Sequence, residues 1–263
     1  MTFLLLGFYS LFAVLVGMTF IWTLSVKWQD TSIVDRVWGL AFVLQAWIYY
    51  ALATEANWRS MLVVGIVTLW GVRLSAHIHF RNRGHGEDFR YQAMRRRNGP
   101  NFWWRSLFTI FYLQAGLAWI IGIPLLILGA HAGPTTMVWS DWLGALLFLL
   151  GFYFEAMGDH QLSQFKKNPD NKGQLLTTGL WSLTRHPNYF GDACAWWGIG
   201  LLTVASDYGW YGLLGPALMM FLLMKVSGVS LLEKSLKRNK PGYEQYIENT
   251  PAFFPDFRKC FKS

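Results

Sequence analysis

Apolar runs close to twenty residues long recur throughout this 263-residue chain. A backbone in hydrocarbon must satisfy its own polar groups, so runs of that length commit the chain to membrane-spanning helices. They cover residues 3–25, 33–54, 58–80, 106–130, 138–160, 188–206 and 209–231, and predict an all-α polytopic membrane protein of about seven spans. With 53% hydrophobic and 14% charged residues, the chain is too apolar for an ordinary soluble domain. Residues 188–206 are interrupted by Gly191, Asp192, Gly198 and Gly200, which allows a tilted or broken helix. No cationic start precedes the first run, so it is expected to stay as an anchor. Cys194 and Cys260 match no zinc or redox spacing, and neither a disulfide nor a metal site is expected.

The net charge of +8 is unevenly spread. Seven arginines (81, 83, 90, 95, 96, 97, 105) crowd residues 81–105, further basic residues lie at 166–185 and in the tail, and residues 131–137 and 206–208 carry no Lys or Arg. By the positive-inside rule the basic segments are cytoplasmic, which puts the N-terminus outside and the C-terminus inside, as in a bacterial inner membrane. The charge is then topological, and nucleic-acid binding is excluded. Without repeats or low-complexity linkers, residues 1–263 read as a single membrane domain: spans in 1–80, a cytoplasmic loop at 81–104, the remaining spans in 105–232, and a tail at 233–263 that is expected to dock. The basic, aromatic end of the 81–104 loop suits the bilayer surface. Trp22, Trp38, Trp58, Trp103, Trp104 and Trp139 fall near span ends, where interfacial aromatics belong.

Ionisable residues inside spans mark functional sites by default. Here Asp35, Arg36, Arg73, His77, Glu155, Asp159, Asp192, Lys225 and Glu233 all fall toward one side. A channel or pump would spread them through the thickness. The pattern instead describes a polar pocket open to the cytoplasm above an apolar one, suited to a charged soluble cofactor over a lipid-like substrate. Snorkelling and structural ion pairs are the alternative, and suit Arg36 and Lys225.

Residues 185–192, Arg-His-Pro-Asn-Tyr-Phe-Gly-Asp, concentrate this chemistry. Pro187 fits a first helical turn, Asn188 and Asp192 then share a face, and Arg185 with His186 at a helix start suits an anion. Glu87-Asp88-Phe89-Arg90-Tyr91 reads either as a proton donor with a tuning partner or as a salt-bridged loop.

On these motifs, with Asn82-Arg83-Gly84 and the ending Gly242–Pro255, the chain resembles the steroid 5-alpha-reductase-like family, in particular a bacterial branch of it. The superfamily shared with sterol reductases and isoprenylcysteine carboxyl methyltransferases carries the Arg-His-Pro-x-Tyr element and the ending in both chemistries. The resemblance implies that Asn188, Tyr189 and Asp192 meet a nicotinamide cofactor, that Asn82 and Arg83 hold its phosphates, and that Asp159 and Lys166 contribute, with lysine in place of the usual arginine. Arg185, His186, and Glu233 with Lys237 as an i,i+4 pair complete the expected cofactor set. The family's catalytic tyrosine, about eleven residues before the Asn-Arg-Gly turn, is replaced by Gly71, and Asp35 and Tyr91 are the candidates for the acid.

The implied function is an NADPH-dependent membrane reductase saturating a conjugated carbon-carbon double bond in a hydrophobic steroid-like or isoprenoid substrate. The alternatives are an S-adenosylmethionine-dependent methyltransferase of a lipid-soluble acceptor, and a non-catalytic lipid-binding protein of the same fold. Nothing in the residues specifies an oligomeric state.

Overall fold

The computed structural model describes residues 2–226 and 228–261, and among these it contains helices and turns but no strand. The chain divides into two compact units, residues 1–137 with 203–212, and residues 138–202 with 213–263.

The first unit contains α1 (Phe3–Trp28), α2 (Ile33–Leu52), α3 (Trp58–Asn82), α4 (Phe89–Asn98), α5 (Phe102–Ser106), α6 (Leu113–Ile121) and α7 (Ile123–Ala130). A π-helical segment, Leu107–Tyr112, joins α5 to α6. Asn57 caps α3 by accepting from the backbone N–H groups of Arg59 and Ser60. At the α2–α3 crossing a Cβ on Gly71 would lie 2.6 Å from the Gly39 carbonyl oxygen, so the two backbones touch there and no larger residue fits. Pro124 cannot donate to the preceding turn, and the chain bends by 51° between α6 and α7. Fully buried Gln45 donates to the Ala118 carbonyl beside that break.

The second unit contains α8 (Trp139–Lys167), α9 (Leu180–Leu183), α10 (Pro187–Leu201), α11 (Leu214–Phe221), α12 (Val229–Asn239) and α13 (Tyr243–Asn249). Its centre is the antiparallel pair α8 and α10, joined along glycines seven residues apart: Gly144, Gly151 and Gly158 on one helix, Gly191 and Gly198 on the other. A Cβ on Gly151 would sit 2.3 Å from the Ala195 nitrogen, and one on Gly191 would sit 2.3 Å from the Glu155 nitrogen. The glycines read as interruptions of a span are therefore its packing surface. Small residues let helix backbones approach closely where lipid supplies no hydrophobic drive.

The helices fit an integral membrane protein, and the expected count of about seven spans is not confirmed among the described residues. Among the described residues four helical segments are long and apolar enough to cross, Phe3–Trp28, Trp58–Asn82, Trp139–Lys167 and Gly209–Val226, and five if the bent stretch from Phe89 to Ala130 counts as one. Asp35, Arg36 and Gln45 dilute the apolarity of α2. The 15 residues of α10 extend only about 22 Å, short of a hydrocarbon core of roughly 30 Å. Cys194 is a free thiol, and the side chain of Cys260, to which the expectation about pairing also applied, lies outside the described residues.

Candidate functional site

Two polar clusters form, one in each unit. In the first, Asp35 stands in the opening turn of α2 and Tyr91 in that of α4. The Tyr91 hydroxyl donates to Asp35 Oδ1 at 2.6 Å. Arg90 Nη2 donates to the other carboxylate oxygen at 2.9 Å, and Gln114 Nε2 approaches both Asp35 Oδ1 and Tyr91 Oη at 3.5 Å. Asp88 caps α4 through the Arg90 nitrogen and holds the Arg90 guanidinium from behind. Glu87 binds Arg95 at 2.8 and 3.0 Å and accepts from the Thr31 nitrogen at 2.8 Å. Burial alone would raise its carboxyl, but the Arg95 and Thr31 hydrogen bonds prevail and hold it below the ordinary value. Residues 87–91 are thus a salt-bridged loop and also the carrier of a phenol paired with a carboxylate. Gln114 was not expected here; no spacing in the sequence links it to Asp35 or Tyr91.

The missing reductase tyrosine now has a physical reason. At Gly71 the helices are in backbone contact, and the adjoining Trp70 is fully buried edge-on to Phe42, so no phenol fits at that level. In this unit the phenol facing an acid comes from α4. Asn82 closes α3 and Arg83 follows it, exposed, before Gly84 turns with φ +83°.

In the second unit, Pro187 opens α10 as its position predicted. Asn188 Nδ2 donates to Asp159 Oδ1 at 3.1 Å, bringing together two of the expected residues across the α8–α10 seam. Glu155, Asp159 and Asp192 are all buried at this end of the pair, and Tyr189 stacks on the His186 ring at 5.5 Å. Arg185 is 7% exposed, with its guanidinium committed inward. Its Nε and Nη2 reach Glu233 Oε1 at 2.8 and 2.7 Å, and Nη1 donates to the carbonyls of Ile247 (3.3 Å) and Thr250. His186 Nε2 lies 3.3 Å from the same Glu233 oxygen, while its buried Nδ1 has no hydrogen-bond partner among the described residues. Burial pushes the imidazole below its ordinary value of 6.5, the Glu233 carboxylate offsetting this only in part.

Glu233 therefore turns to Arg185 and His186, 48 and 47 residues away, while Lys237 is exposed on α12 and Lys166 is exposed near the end of α8. The tail docks, as expected: Thr184 Oγ1 donates to the Phe253 carbonyl, Arg185 N to that of Pro251, and Tyr246 Oη to that of Trp181.

An all-helical membrane protein with paired acids and amides at helix starts is the class these observations define. A family model described as a protein of unknown function, DUF1295, matches residues 21–250, and the chain belongs to that family. It is 27% identical over 271 residues to an uncharacterized protein of Schizosaccharomyces pombe, covering 89% of this chain and 75% of that one. It is 32% identical over 123 residues to a steroid 5-alpha-reductase of Arabidopsis thaliana, 46% of this chain and 40% of that one. It is 33% identical over 112 residues to a probable O-methyltransferase of Ustilaginoidea virens, 43% of this chain and 34% of that one. No solved structure matches it.

Proposed function

We propose that the protein is an integral membrane reductase that uses NADPH to saturate a carbon-carbon double bond conjugated to a carbonyl in a hydrophobic, steroid-like or isoprenoid molecule. The observation that carries this reading is the Asn188–Asp159 hydrogen bond at the start of α10, in the Asn-Tyr-Phe-Gly-Asp pattern that resembles the reductase branch. The likeness to a steroid 5-alpha-reductase supports a reductase in general terms.

The residues suit the cofactor in chemical kind. Asn188, Asp159 and Asp192 offer donors and acceptors for a carboxamide and ribose hydroxyls, and buried His186 Nδ1 is an unused polar atom beside Tyr189. Exposed Arg83, Lys166 and Lys237, with Asn82, have the charge and donors for phosphates. Arg185 and Glu233, bonded to each other, keep the tail over the start of α10. When bound, NADPH supplies a hydride. As the chain's own candidate acid we take the Tyr91 hydroxyl, whose proton is shared with Asp35 within the first unit, with Arg90 fixing the carboxylate that orients it. The basic loops support a cytoplasmic C-terminus.

The methyltransferase relative favours a second reading, in which the same family element serves S-adenosylmethionine. One experiment separates them. Purified protein is given a hydrophobic enone with deuteride-labelled NADPH, and in parallel a lipid-soluble acceptor with methyl-labelled S-adenosylmethionine. Deuterium at the β carbon of a saturated product supports the reductase; label only in a methylated product supports the rival.

A further inference from the structure

The seven arginines of residues 81–105 do different work. Arg90 is paired with Asp35 and Asp88, and Arg95 with Glu87. Arg96, Arg97 and Arg105 point outward instead, with no ion pair to a carboxylate among the described residues. The Arg105 guanidinium reaches Asn98 Oδ1 at 3.4 Å and lies 5.4 Å from the Trp104 ring centre. Three cations on one short stretch are left uncompensated.

Their place in the chain says what meets them. α5 passes without a gap through Leu107–Tyr112 into α6, an apolar stretch that the membrane must accommodate. Trp103 and Trp104, both exposed, and Phe108, 57% exposed, therefore sit where the chain passes from polar to apolar surroundings. The stretch is also held in place: the Trp22 indole donates to the Trp103 carbonyl at 2.8 Å, their rings stack at 6.2 Å, and Arg95 lies 4.6 Å over Phe102.

We propose that α4 and α5 form a docking surface for anionic phospholipid headgroups, with Arg96, Arg97 and Arg105 on the lipid phosphates and Trp103 and Trp104 at the glycerol level. Charge complementarity selects the anionic class. A zwitterionic headgroup brings no net charge to three unpaired arginines, whereas an anionic one neutralises them, and guanidinium binds phosphate bidentately. The proposal is independent of the reductase reading.

The test uses the full chain in neutral detergent, titrated in separate arms with short-chain phosphatidylglycerol, phosphatidylcholine of the same chain length, inorganic phosphate, and an acidic peptide. Retained lipid is counted by native mass spectrometry and the thermal midpoint is followed. Phosphatidylglycerol is expected to be retained in preference to phosphatidylcholine and to raise the midpoint. The R96Q/R97Q/R105Q variant should bind it more weakly by roughly fivefold per arginine removed, and R258Q, whose guanidinium already sits on Asp256 at 2.8 Å, should bind as wild type. If the triple variant fails to fold, the single R97Q and R105Q variants carry the same comparison. Equal retention of the two lipids, undiminished binding by the glutamine variants, or equal stabilisation by free phosphate or the acidic peptide would overturn the proposal.

Discussion

The Tyr91 hydroxyl donates to Asp35 at 2.6 Å, joining the first turns of two helices whose residues are 56 positions apart. Arg90 occupies the other carboxylate oxygen, so the carboxylate cannot turn away from the phenol. If this pair is the proton source, Tyr91→Phe should leave a folded protein whose turnover falls by about 10²–10⁴-fold, the usual contribution of a positioned acid. Asp35→Asn should also lower turnover, while affinity for the cofactor stays near wild type. Single-turnover rates with circular dichroism as the folding control read both. A Tyr91→Phe enzyme with wild-type turnover would remove Tyr91 from the chemistry.

The Arg185–Glu233 pair ties the start of α10 to the tail, and breaking one side of it leaves the other charge largely buried. Arg185→Gln and Glu233→Gln should each destabilise by about 3–5 kcal/mol, and the double variant by clearly less than the sum. Denaturant melts in detergent test this. Additive losses would mean that the two residues do not act as a unit.

His186 supplies a pH dependence. Its folded value lies below 6.5, so between the two values the unfolded chain binds more protons, and stability rises with pH there. The stabilisation is complete above about pH 6.5 and is lost as pH falls through the folded value. Thermal midpoints should decline on acidification below that point, and His186→Gln should flatten the decline. Glu87, held below its ordinary carboxylate value, adds its own loss only at more acidic pH.

The glycine seam gives a prediction about packing. With the Glu155 nitrogen 2.3 Å from where its Cβ would stand, Gly191→Ala should force α8 and α10 apart and destabilise by about 1–3 kcal/mol, by overpacking. Gly84→Ala, with open space around it but a φ of +83°, should carry only backbone strain of about 1–2 kcal/mol. Melting curves of the two variants compare the effects.

Much of this was legible in the residues, because local rules act locally. Apolar runs marked α1, α3 and α8, Pro187 marked the start of α10, and the aromatic, basic tail docks as its composition suggested. The count of about seven spans was not confirmed, and length is what decided it at α10, which has a core-like composition but only 15 residues. Gly191 and Gly198 were read as breaks, since a lone glycine weakens a helix. Their meaning depends on Gly151 and Gly144, 40 and 54 residues away in sequence, and the seven-residue spacing was the available signal. Long-range pairing was the least visible. Glu233 stands four residues before Lys237, a spacing that suggests a local pair, yet it bonds to Arg185 and His186. Asp35 and Tyr91 were separate candidates, and only the fold joins them.

The central claim is that the α10 start serves a nicotinamide cofactor, and the most direct measurement is equilibrium binding by the purified full chain of NADPH, NADH and S-adenosylmethionine, with Asp192→Asn alongside. NADPH should bind most tightly. Folded Asp192→Asn should bind it roughly tenfold to hundredfold more weakly, the equivalent of about 1.5–3 kcal/mol for a charge-assisted hydrogen bond. Tight S-adenosylmethionine binding with no measurable NADPH binding, or unchanged NADPH affinity in folded Asp192→Asn, would contradict it.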